Sequence, residues 1–116
     1  MVESRPLKKV YVSGAYSAPT SQGVLDNCVH AAHHAILIAK GGGHPILPHL
    51  SHPHAATYDE AMALCKSQLL GCQAIYLIHG WESSPGAVQE RDWAVSLGLP
   101  VFKTPGEVQA WIRGVA

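Results

Sequence analysis

"QAIYLIHGWESSPGAVQERDWAVSLGLPVF", residues 73–102, decides the fold. Its first part, "QAIYLIHG", is a short continuous apolar run closed by glycine, the pattern of a strand buried on both faces. A polar loop follows, and then a helix that starts near Pro85, since proline suits the first helical position. "LPVF" returns to strand. On the helix, Ala87, Glu90, Ala94 and Leu97 share one stripe, at the three- and four-residue steps of a buried face. A carboxylate does not belong on such a stripe unless something uses it. Helical side chains lean toward the N-terminus. Glu90, one turn in, therefore aims at the space beyond the end of the preceding strand.

The rest of the chain repeats the alternation. "KKVYVSG" (residues 8–14) is a buried strand, and "AYSAPTSQG" a loop. Asp26 or Asn27 is expected to cap the next helix, with Leu25, Val29, Ala32, Ile36 and Ala39 on its inner face. "GGGH" ends that helix. "HPILPHL" is a brief strand near an edge, because prolines flank it. "SHPHAATYDE" is loop. "YDEAMALCKSQLLG" is a helix with acidic residues in its first turn and Gly71 as its stop. "TPGEVQAWIRG" closes the chain as a helix capped by Thr104, with Pro105 at its first position.

Strand–helix alternation of this kind means a parallel sheet with helices on both faces. The expected fold is α/β, a Rossmann-like or flavodoxin-like three-layer sandwich with four to five parallel strands. The first and third strands should lie side by side in the middle. One domain over residues 1–116 accounts for the length.

Composition excludes several classes. Of 116 residues, 47% are apolar and only 14% charged, against roughly 25% in an average soluble domain. So little charge points to surface hidden in a homodimer or homotetramer. The formal net charge is zero and no basic run occurs, so the footprint of a nucleic-acid binder is missing. Cys28, Cys65 and Cys72 make no disulfide framework and no Cys-x-x-Cys pair, which suits a reducing cytoplasm. No stretch of signal-peptide or bilayer-spanning character appears, so a cytoplasmic protein with no membrane partner is expected.

In open α/β sheets, ligands bind beyond the carboxyl ends of the strands at the topological switch point. Here the two central strands end in "SGAYS" and "IHGWESSPG", which should open on one crevice with Glu90. Ser83, Ser84 and Gly86 begin the helix that carries Glu90. Its exposed N–H groups and dipole favour an anion, and a serine hydroxyl suits a phosphate. Ser84 serves equally well as a simple N-cap. No lysine follows the glycine, so this is not a Walker loop, and "SGAYS" lacks the spaced glycines of a dinucleotide site.

"VYVSGAYS", "PILPHLSH" and "AIYLIHGWESSPGAVQERDWAVSLGLPVF" resemble the nucleoside 2-deoxyribosyltransferase-like superfamily, from about Val10 to Phe102. The small phage and bacterial members left as a domain of unknown function look most similar. The most specific part is Ser-x-Gly-x-x-x-Glu followed by Ala and Leu-Gly-x-Pro, a spacing similar to that of the deoxynucleoside 5'-monophosphate N-glycosidases. The resemblance implies cleavage or transfer at an N-glycosidic bond of a nucleoside or its 5'-monophosphate. It implies Glu90 as the nucleophile and Ser84 as a phosphate ligand. Tyr11, Ser13, Gly14, Ala15, Tyr16 and Gly86 become pocket residues, with no cofactor and no metal. A carboxylate beside an oxocarbenium-like centre stabilises charge or forms a glycosyl ester. A site completed across a subunit interface is implied as well.

One departure from the pattern stands out. The family places an aspartate in the helix before the third strand, where it acts on the leaving base, and another at that strand's start. Cys65 and Gln73 occupy those positions here. Glycoside chemistry usually takes a carboxyl pair. Asp59 and Glu60 lie one to two turns earlier as substitutes. Asp92 is roughly 200° around the helix from Glu90 and faces elsewhere. A non-catalytic nucleotide or phosphosugar binder is therefore the rival reading.

Eight histidines are present. His30 and His34, four apart on a helix, are placed to share a metal, with His33 beside them. His44, His49, His52 and His54 crowd the second strand and its loop. A histidine-rich metal-binding protein is thus a third reading. No His-Glu-x-x-His or finger spacing exists, which favours solvated or capping histidines. His49 and His52 are better read as pocket residues. Trp81 opens the crevice loop and is expected to stack on a base. Trp93 and Trp111 are packing or interface residues.

Overall fold

The computed structural model describes residues 7–50 and 57–114. In chain order the elements are β1 (Lys9–Ser13), α1 (Ser21–Lys40), β2 (His44–Ile46), α2 (Tyr58–Leu70), β3 (Ala74–Leu77), α3 (Pro85–Ser96), β4 (Val101–Phe102) and α4 (Pro105–Ile112). Short 3-10 turns follow β2 (Pro48–Leu50) and β3 (Trp81–Ser83). The four strands form one parallel sheet in the order β2-β1-β3-β4. The two central strands are thus the first and third, and β2 is an edge, as its prolines require.

Alternation along β1 separates two cores. Val10 and Val12 face a layer with Ala31, Ala35, Ile38, Tyr76 and Val108, contributed by α1, β3 and α4. Tyr11 faces the other layer with Cys65, Leu69, Ile75, Ala87 and Ala94, contributed by α2, β3 and α3. Fully burying residues such as Ile38, Leu69, Ile75 and Leu77 contributes about 1.5–3 kcal/mol each. The helix ends follow local chemistry. Thr57 with Glu60 and Thr104 with Glu107 form capping boxes on α2 and α4.

Three sequence expectations give way. α1 starts at Ser21, with Thr20 as its N-cap accepting from the Gly23 N–H, rather than at Asp26 or Asn27. Asn27 instead donates to the carbonyl oxygens of Tyr16 and Ser17 and pins the β1–α1 loop. The inner face of α1 is the small stripe Ala31, Ala35 and Ile38, whereas Leu25, Val29 and Ile36 are 55%, 60% and 53% exposed. This helix carries two apolar stripes, and periodicity alone cannot say which meets the sheet. On α3, Ala87, Glu90 and Ala94 are buried as read, but Leu97 caps the helix C-terminus and is exposed.

Two glycines shape the ends of the central strands. Gly80 has φ +91, which turns the chain out of β3 toward the crevice loop without the cost a side chain would add. At Gly14 a Cβ would lie 2.9 Å from Cδ1 of Ile78, so a side chain there would have to displace that of Ile78.

Candidate functional site

Beyond the carboxyl ends of β1 and β3 lies a cavity of about 500 Å³, a size suited to a small molecule. Four segments wall it: the β1–α1 loop, the turn after β2, the N-terminal half of α2 and the N-terminus of α3. Glu90 lies in its wall and is 5% exposed. Among the described residues it is the single carboxylate there.

Strand register explains how Glu90 is held. Tyr11 and Ser13 are two apart on β1, so both face the α2–α3 layer. The Tyr11 phenol donates to Oε2 of Glu90, and the Ser13 hydroxyl donates to Oε1 at 2.7 Å. The Cys65 thiol, from α2, interacts with the same carboxylate. Burial pushes the Glu90 carboxyl above its ordinary value of 4.5, and the three hydrogen-bonding groups pull it back only in part. Burial, and secondarily the Glu90 charge, pushes the Tyr11 phenol far above its ordinary value of 10.0. Tyr11 is therefore always a donor. Burial raises the Cys65 thiol to about 12, so Cys65 offers a neutral S–H and not a thiolate.

At the N-terminus of α3, Ser84 is the N-cap and its Oγ accepts from the Ala87 N–H at 3.3 Å. Pro85 holds the first helical position and has no N–H. The Gly86 N–H has no partner four residues back in the helix. Ser83, Ser84, Pro85 and Gly86 all line the cavity. Gly86 has an ordinary φ, and a Cβ there would meet only Met62 Sδ at 3.5 Å, so no turn strain dictates glycine at this point.

The opposite wall is aromatic. Tyr16 and His49 pack at 5.9 Å between ring centroids. His49 Nε2 is 3.0 Å from the Ala15 carbonyl oxygen, which places the proton on that nitrogen. Gly14, Ala15 and Tyr16 all line the cavity.

Other sequence expectations are redistributed. Trp81 is not on the cavity wall. It is 8% exposed in the core beneath α3, with the Arg91 guanidinium 5.1 Å and the Lys103 ammonium 5.7 Å from its ring. The tight turn after Gly80 folds the indole into that core layer. Tyr11 and Ser13 sit behind Glu90 and do not line the cavity themselves. Gln73 is at the far end of β3, where its Oε1 accepts from the Lys9 N–H. It faces no ligand. Glu60 is taken up in its capping box and Asp59 is exposed on the outer side of α2, so neither replaces an acid in the cavity. Asp92 pairs with its neighbour Arg91 and points away, as read. His52 and His54 lie outside the described residues.

Tyr58, Ala61, Met62 and Cys65 form a wall that sequence reading largely missed. Their spacing is i, i+3, i+4, i+7, one helical face. The signal was present, but Tyr58 looked like an ordinary helix start.

Residues 8–103 match the family model described as "Domain of unknown function (DUF4406)". No curated protein matches this sequence. Among solved structures, the chain is similar to a 2-deoxyribosyltransferase from the psychrotolerant bacterium Bacillus psychrosaccharolyticus. The TM-score is 0.58 and the identity 14%, over 80% of this chain and 69% of that one. A likeness at that identity is one of fold. Among the described residues, no helix is long and apolar enough to cross a membrane.

Proposed function

We propose that this chain, which belongs to the DUF4406 family, acts on the N-glycosidic bond of a nucleoside or nucleoside 5'-monophosphate, cleaving or transferring, with Glu90 as nucleophile. One observation carries the reading: a buried carboxylate, gripped at both oxygens by Tyr11 and Ser13, faces a cavity behind a helix N-terminus. A carboxylate so fixed meets a developing oxocarbenium without reorganising. The α3 N-terminus and Ser84 hold the 5'-phosphate, while Tyr16 and Tyr58 flank the base and sugar. The fold likeness to a 2-deoxyribosyltransferase supports the assignment of ligand class.

In this reading the protein is a cytoplasmic homodimer or homotetramer that needs no cofactor. The experiment is incubation with a panel of nucleosides and their 5'-monophosphates, with and without an acceptor base, followed by chromatography of released base. Release that disappears in Glu90→Gln is expected. No release from any member of the panel sinks the reading.

A second reading rests on Cys65. It stands where the resembled superfamily carries an aspartate, and its thiol stays protonated below about 12. Without a second carboxyl group the cavity suits a non-catalytic nucleotide or phosphosugar binder. Calorimetric binding of a monophosphate without product would select this alternative.

A further inference from the structure

α1 carries a feature that the cavity does not use. Nε2 of His30 and Nε2 of His34 are 3.2 Å apart, with the rings tilted 55° to one another. The second nitrogen of His34, Nδ1, is 2.8 Å from the Tyr76 hydroxyl oxygen. Tyr76 is 1% exposed, so that contact fixes the His34 ring from behind. Tyr76 belongs to the layer of α1 and α4, on the opposite side of the sheet from Tyr11 and Glu90.

Two imidazole nitrogens binding one ion at about 2.0–2.1 Å, and separated as these are, subtend roughly 100° at the ion. That angle lies between square-planar and tetrahedral values. Metal-bound histidines generally engage their other nitrogen with a hydrogen-bonding partner, and Tyr76 already occupies that place. His33 stacks edge-on against His34, with centroids 5.6 Å apart. Among the described residues no group of three His, Cys, Asp or Glu side chains assembles. A cation held here would take two protein ligands, with its remaining positions left to solvent. Imidazole pairs of this kind select copper, nickel or zinc over magnesium, calcium or manganese.

We propose that His30 and His34 form a chelate for a late first-row divalent cation, oriented by Tyr76 and separate from the Glu90 cavity. This sharpens the loose i, i+4 pattern of the sequence into a defined pair of converging nitrogens.

The test uses the untagged full chain. Ni²⁺ is titrated calorimetrically, and Cu²⁺ is followed by electron paramagnetic resonance. One ion per chain is expected, with the copper spectrum showing two nitrogen ligands. His30→Ala and His34→Gln should each reduce binding to that of a lone imidazole, and Tyr76→Phe should weaken it on the order of tenfold or more. Replacing His44, exposed on the edge strand β2, should leave the affinity unchanged. Circular dichroism establishes that each variant is folded. Undetectable Ni²⁺ binding to the parent chain, or binding that survives both His30→Ala and His34→Gln, overturns the proposal.

Discussion

The Tyr11 phenol, on the first strand, donates to Oε2 of Glu90, seventy-nine residues away on the helix after the third strand. Both groups are buried. The bond joins β1 to α3 behind the cavity wall and, with the Ser13 hydroxyl on the other oxygen, leaves the carboxylate no freedom to turn. Tyr11→Phe removes the donor but keeps the ring. A buried carboxylate losing a partner costs about 1–3 kcal/mol, so the melting temperature should fall. Loss of a hydrogen bond that lowers the Glu90 pKa should also move the acidic limb of the pH–rate profile upward. A variant with parent stability and an unmoved profile would show the bond to be inconsequential.

Glu90→Gln keeps the shape and removes the charge. Base release should vanish while ligand binding persists. Stability supplies an independent reading. Glu90 has a folded-state pKa above 4.5, so its contribution to folding is fully present below pH 4.5. It is lost as pH rises through the raised folded value. Glutamine does not titrate. The melting-temperature difference between variant and parent should therefore grow in the variant's favour from pH 4.5 toward neutrality. A variant several degrees less stable at neutral pH, and still active, would make Glu90 a structural hydrogen-bonding residue.

Ser84 caps α3 through its Oγ and also lines the cavity. If it holds a phosphate, a charge-assisted hydrogen bond of roughly 1.5–3 kcal/mol is at stake. Ser84→Ala should weaken a nucleoside monophosphate roughly ten- to a hundredfold and leave the nucleoside nearly unchanged, as read by calorimetry. Equal loss for both ligands would reduce Ser84 to its capping role.

Cys65 and Cys72 are buried, with thiols raised to about 12 and about 11. Both should react slowly with a disulfide reagent near neutral pH and rapidly once the chain is unfolded in denaturant. Peptide mapping after brief alkylation identifies the site. Fast modification of Cys65 in the folded protein would mean that a thiolate faces the cavity.

The apolar stripe Leu25, Val29 and Ile36 is exposed on α1, and the chain has few charges to keep copies apart. Light scattering at micromolar concentration should give a multiple of 12.4 kDa. Val29→Lys should lower the observed mass if this stripe is the contact. A parent mass of one chain contradicts the oligomer.

The sequence by itself determined the layering. Strand–helix alternation, glycine stops, the Thr104 cap and two central buried runs suffice for a parallel sheet with β1 beside β3, because these are local signals that agree with one another. It also marked Glu90, since a charge on an apolar stripe is legible without coordinates. Tertiary structure alone decided what that charge touches. Tyr11 and Ser13 meet it only because parallel register brings the end of β1 beside β3, and residues so far apart in sequence leave no periodic trace. The same holds for Trp81, which its position at the start of the crevice loop suggested as a ligand contact and which the turn at Gly80 places in the core. It holds too for α1, where two apolar stripes compete. Only the sheet's shape selects the smaller one, and leaves Leu25, Val29 and Ile36 facing outward.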